Sequence, residues 1–279
     1  MSIFEYTFFQ HALIGSLLAS IVCGFIGTYI VTRRLVFISG GITHASFGGI
    51  GLGVYLGISP VLGAMVFAVL SAFGVQWMSR RSHVREDSAI AVFWTLGMSL
   101  GIIFCFLTPG FMPDLPSFLF GSILTISETD LWMLASITAV VILTFWRLYH
   151  SILSIAFDSG FARSQRLPVD TIECLLMALI AMTIVASLRM VGIVLAMSLL
   201  TIPQMTANVL THSFKRMIWL SILIGWVDCL CGLGISYILN VPSGASIIFV
   251  SIMVYVVVKA IKWTQNQLNK QRREVEMAS

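Results

Sequence analysis

His44 is the side chain in this sequence best suited to chemistry. It lies in Gly40-Gly41-Ile42-Thr43-His44-Ala45-Ser46, and an imidazole can carry a proton or ligate a first-row metal ion. Small residues recur beside it at every fourth position: Gly41, Ala45, Gly49, Gly53 and Gly57. That spacing puts them on one helix face, where a neighbouring backbone can come into contact. His44 stands off the stripe by about 60° around the helix, so it is expected to point along a seam between helices. A metal or ion-path role is one reading; an interhelical hydrogen bond is the other. Asp228 sits in the middle of the apolar run 217–239, where a charge costs about 3 kcal/mol. It must therefore face a cavity, a partner group or the bundle interior. Asp114 falls in a proline-broken stretch and either lines an entrance or caps a short helix. Glu173 lies near the edge of its apolar run, within reach of water, and needs no special role. The five cysteines lack paired metal spacing and read as small hydrophobes.

The elements that position these groups are membrane helices. Hydrophobic residues make up 58% of the 279 and charged residues 10%, against about 25% charged in a soluble domain. A first count of long apolar runs gives eight, and the positive charges require nine. The runs are 9–32, 36–57, 60–79, 88–108, 130–149, 170–188, 190–209, 217–239 and 244–262. With an external N-terminus, Arg33-Arg34, Arg80-Arg81-Arg85, Arg147, Arg163, Arg166, Lys215-Arg216 and the tail from Lys259 all fall inside, and only Arg189 falls outside. The fold class expected is an all-α integral membrane bundle of eight to nine transmembrane helices with a short cytoplasmic helix. Residues 1–263 form the membrane domain and 264–279 a cytoplasmic basic tail.

Three interruptions carry information. Residues 109–127 are apolar but too rich in proline to span, so they lie at the outer surface or dip back under cover of protein. Residues 157–166 read as a short amphipathic helix ended by Pro168. In it Phe157 and Phe161, four apart, would present one apolar knob among Asp158, Ala162, Arg163, Gln165 and Arg166. The knob suits a groove on another protein or, alternatively, the membrane surface. Pro203, in Leu199-Leu200-Thr201-Ile202-Pro203-Gln204, should kink the run 190–209 and leave carbonyls for Thr201 or a neighbour.

Taken in order, these landmarks resemble the permease subunit of ABC importers for zinc, manganese or iron(II). The resemblance rests on Arg33-Arg34 before Ile38 to Ser46, Asp114 followed by Phe118-Leu119-Phe120-Gly121-Ser122-Ile123-Leu124, and Asp158 to Ala162. Val191-Gly192 leading into Leu199 to Pro203, and Pro242-Ser243-Gly244, complete it. It implies a homodimer in the cell (inner) membrane with a metal pathway, driven by two cytoplasmic ATPase subunits and supplied by an extracytoplasmic metal-binding protein. No nucleic-acid partner and no resident cofactor are implied; ATP belongs to the partner subunit and the divalent ion is cargo. The helix 157–166 would couple to the ATPase. His44 matches the family's intramembrane histidine, with Asp114 and Asp228 as further candidate ligands and Zn²⁺ the favoured ion. Two positions depart from the pattern: Gly40 stands where many relatives have an aspartate, and Arg166 where they often end the coupling helix with glycine. The chain lacks the Gly-x-x-x-x-Gly-Lys phosphate loop and the hydrolase motifs His-Glu-x-x-His and Gly-x-Ser-x-Gly, so hydrolysis is expected elsewhere. The competing reading is a stand-alone, ion-coupled secondary metal transporter using His44 and Asp228.

Overall fold

The computed structural model describes residues 7–81, 84–109 and 126–278, and among these it contains helices and no strand. They are α1 (Thr7–Thr32), α2 (Val36–Tyr55), α3 (Pro60–Arg81), α4 (Glu86–Leu107), α5 (Glu128–Phe157), α6 (Ser159–Ser164), α7 (Val169–Leu199), α8 (Ile202–Leu210), α9 (Phe214–Leu239) and α10 (Ser243–Ala278). Eight segments among the described residues are long and apolar enough to cross a bilayer. They bury small and aliphatic side chains inward, including Ile26, Ile30, Leu176 and Ile180. Outward they present large ones: Trp132, Trp146, Trp219 and Phe249 are all more than 60% exposed. Apolar exposure on that scale needs lipid or protein to cover it. α2 is an additional helix of 20 residues, packed between α3, α4 and α7.

Helix ends gather at two poles. The end of α1 (Arg33), the end of α3 (Arg80), the last turns of α5 (Ile155) and the start of α7 (Glu173) meet through hydrogen bonds. Glu86, at the start of α4, lines a cavity at this pole together with Arg33, Arg80 and Glu173. At the opposite pole His11 Nδ1 lies 3.3 Å from the carbonyl of Ile126, and Gly53 meets Pro60. Alternate helices therefore run in opposite directions, as the arginine distribution requires.

From Val169 the chain leaves the basic pole, and it is back there at Phe214, whose ring lies 6.5 Å from that of Phe157. Within α7, Gly192 is the residue with non-helical dihedrals (φ 76°, ψ 172°). Only glycine enters that region without a Cβ penalty, and the reversal falls there. The continuous run expected over 190–209 is broken a second time, at Leu200-Thr201. Pro203 cannot donate into a continuing helix, so it opens α8 instead. The stranded carbonyls are taken up: Thr201 Oγ1 donates to Met197 O at 2.8 Å, and Gln204 Nε2 donates to Leu199 O at 3.0 Å and to Cys23 O at 2.8 Å. α10 continues without a break past residue 263.

Candidate functional site

α2 holds His44 by close backbone packing. A Cβ on Gly97 of α4 would lie 2.4 Å from Ala45 Cα, and one on Gly51 would lie 2.4 Å from Gly101 O. On the other flank, a Cβ on Gly49 would lie 2.2 Å from Gly63 O of α3. The small-residue stripe thus serves two faces rather than the single face expected. Each four-residue step overshoots a full turn by about 40°. Gly41 and Ala45 therefore meet α4, through Ile90 and Gly97, while Gly49 and Gly53 have wound round to α3. Gly57 lies beyond the helix end with φ 68° and has open space around it.

Between these interfaces the His44 ring stacks on Trp94 of α4, with centroids 4.4 Å apart and planes 5° apart. Its Nδ1 is buried with no hydrogen-bond partner among the described residues, which disfavours the interhelical hydrogen-bond reading for that nitrogen. One turn earlier, a Cβ at Gly40 would come 2.8 Å from Met197 Cε and 3.9 Å from Trp94 Cζ3. The room an aspartate would need is filled by the end of a methionine side chain from α7.

Asp228 on α9 is 1% exposed and faces α10. Ser251 Oγ donates to its Oδ2 at 2.6 Å, while Oδ1 has no partner among the described residues. The main neighbours of α2 are α4, α3 and α7; those of α9 are α10, α1 and α8. His44 and Asp228 therefore sit in different helix neighbourhoods. Asp114 and the run Phe118 to Leu124 lie outside the described residues. Among the described residues no group of three or more His, Cys, Asp or Glu side chains is placed to hold one ion.

The short helix at the basic pole is present but smaller than the span 157–166. Asp158 (φ −150°, ψ 100°) ends α5 and caps α6, its Oδ1 accepting from Phe161 N at 2.9 Å. Phe157 consequently belongs to α5 and Phe161 to α6, so they are not one helix turn apart on a shared face. Both still project, at 65% and 56% exposure, while Ala162 is fully buried. Leu167 N donates to Ala162 O and Arg166 N to Arg163 O, the two bonds of a Schellman ending. Arg166 takes the left-handed position itself, with φ 58°, and Gln165 is the C-cap.

Sequence reasoning set Glu173 aside, and the structure brings it to the centre of the pole. It is 7% exposed. One carboxylate oxygen accepts from Arg33 Nη2 at 2.9 Å and the other pairs with Arg80. Arg80 also pairs with Asp170, which accepts from Arg163 of α6 at 2.8 Å. A cavity of about 270 Å³ lies inside this ring, lined also by Tyr29, Gln76, Glu86, Ser159 and Gly160. The signal available in the sequence was the position of Arg33, Arg80, Asp170 and Glu173 at helix ends that the charge rule places on one side.

An apolar helical bundle with one charged pole and a short helix on it defines a polytopic membrane protein. The chain belongs to the ABC 3 transport family, which matches residues 5–262. An uncharacterized membrane protein of Synechocystis is 41% identical over 92% of each chain. The manganese transport system membrane protein MntC of Halalkalibacterium halodurans is 36% identical, covering 88% of this chain and 85% of its own. The solved structure of PsaBC from Streptococcus pneumoniae in complex with Fab matches with a TM-score of 0.81 at 30% identity, over 92% of both chains.

Proposed function

We propose that this chain is the permease subunit of an ATP-driven importer that moves divalent first-row metal ions into the cytoplasm. The observation that carries the reading is the family match across residues 5–262, and it supports ATP-driven import over a stand-alone carrier. The basic pole is then cytoplasmic, and Phe157 and Phe161 are the apolar knob on which a separate ATPase subunit docks, with Asp158 and Arg166 setting the shape of its helix. Residues 1–263 form the conducting domain, two copies pair, and an extracytoplasmic metal-binding protein delivers the ion.

His44 is the ligand we place on the pathway, through its unpartnered Nδ1. A conduit needs sites weak enough to release the ion to the next one, so a single complete cage is not required, and Asp114 and Asp228 are proposed as further steps. The relative from Halalkalibacterium is named for manganese, which supports Mn²⁺ as cargo beside the Zn²⁺ that imidazole also accommodates. The test is uptake into proteoliposomes holding this chain, its ATPase and its binding protein, with Mn²⁺ and Zn²⁺ in competition. His44→Ala is expected to abolish most uptake while the ATPase still co-purifies. Normal uptake by that variant removes His44 from the path, and uptake by the chain without any ATPase overturns the reading.

A further inference from the structure

A row of alternating charges leads from α6 into the bundle, and its bonds differ in stiffness along the way. The outer bond, Arg163 to Asp170, joins side chains 57% and 68% exposed. Water screens such a pair, and it re-forms readily after displacement. The inner bonds are different. The Glu173 side chain is 10% exposed, and its two oxygens hold Arg33, which follows α1, and Arg80, from the end of α3. Leaving a buried carboxylate without its cations is strongly unfavourable, so the ends of α1 and α3 must follow wherever Glu173 goes. Arg33 also donates to Ile155 O at 3.3 Å, which ties the last turns of α5 into the same unit.

Arg80 is the shared member, bonded to Asp170 and Glu173 at once. Glu86 of α4 lines the cavity beside Arg33 and Arg80.

We propose that Arg163, Asp170, Arg80, Glu173 and Arg33 form the linkage by which displacement of α6 moves α1 and α3, with Glu173 as its pivot. These are positioning residues: none is required to touch the transported ion. The inference rests on α6 being the ATPase-docking helix.

The test uses the full complex of this chain, its ATPase and its metal-binding protein in proteoliposomes. It reads Mn²⁺ taken up per ATP hydrolysed, together with cross-linking of Ser164→Cys on α6 to the ATPase. Glu173→Gln keeps the shape and removes the charge. It is expected to retain the cross-link and the ATP hydrolysis rate while uptake per ATP falls about tenfold. Unchanged uptake per ATP in Glu173→Gln overturns the linkage. Should Glu173→Gln fail to fold, Arg163→Ala at the exposed end carries the test. An unchanged melting temperature with a fall in coupling of about threefold supports the linkage, and unchanged coupling overturns it. Absence of the Ser164→Cys cross-link in the otherwise wild-type complex instead overturns the docking reading itself, and the linkage with it.

Discussion

Around α2 the helices touch through their backbones; at the basic pole they touch through the tips of charged side chains. At the first region Gly97 meets Ala45 and Gly49 meets Gly63 with no space for a single methyl group. At the second, Arg33 and Arg80 reach several bonds out to share Glu173. Lipid offers no hydrophobic force to pull helices together, so inside the bilayer association rests on close packing. At the pole, helix ends that do not touch are tied together through one largely buried carboxylate, so they move as its partners. The two regions therefore differ in mechanical character: α2 with α3 and α4 is a block held by backbone contact, and the charged pole is a joint held by side-chain bonds.

Substitutions can break that contrast. The largest effect is expected of Gly97→Leu, which forces α4 off α2 and should cost about 3 kcal/mol or more, read as a lowered melting temperature in detergent; a neutral result would mean the two helices are not rigidly packed. Glu173→Ala comes next, at roughly 3 kcal/mol, because two arginines lose a largely buried partner. A loss that vanishes would make the joint a surface feature. Arg166→Gly changes sign. Arg166 holds a left-handed φ of 58°, which glycine adopts without strain, so the variant should gain about 1 kcal/mol in thermal unfolding. Arg163→Ala should be smallest, under about 0.5 kcal/mol, since its pair is open to solvent. A larger loss would place Arg163 among the structural bonds and not at the compliant end.

Much of the bundle was legible because composition and arginine placement are strong, non-local signals. Apolar runs of about 20 residues and the parity of positive charge predict which helix ends share a pole, and Arg33, Arg80 and Glu173 do meet there. His44 was legible as a polar group in a small-residue helix. Its partner ring, Trp94, was not, since stacking depends on the register of α2 against α4. The two-faced use of the glycine stripe follows from the 40° drift that a simple fourfold count ignores. Glu173 was missed because its position along the helix suggested access to water, while its burial is created by arginines from elements about 90 and 140 residues away in sequence. The helix ends at Arg34 and Arg166 take left-handed dihedrals without glycine, so no residue type announced them. Phe157 and Phe161 were separated by Asp158, a cap whose break of the chain was read as part of one helix.

The last helix has a consequence for whatever sits at the charged pole. At 36 residues α10 measures about 54 Å, against a hydrocarbon thickness of about 30 Å. It follows α9, which starts beside Phe157 and runs to the far pole, so its surplus length emerges on the same side as α6. A mast of roughly 20 Å therefore stands out from the pole that carries Phe157 and Phe161. It gives that face relief well beyond the two exposed rings, so any large body that meets this pole meets the end of α10 as well.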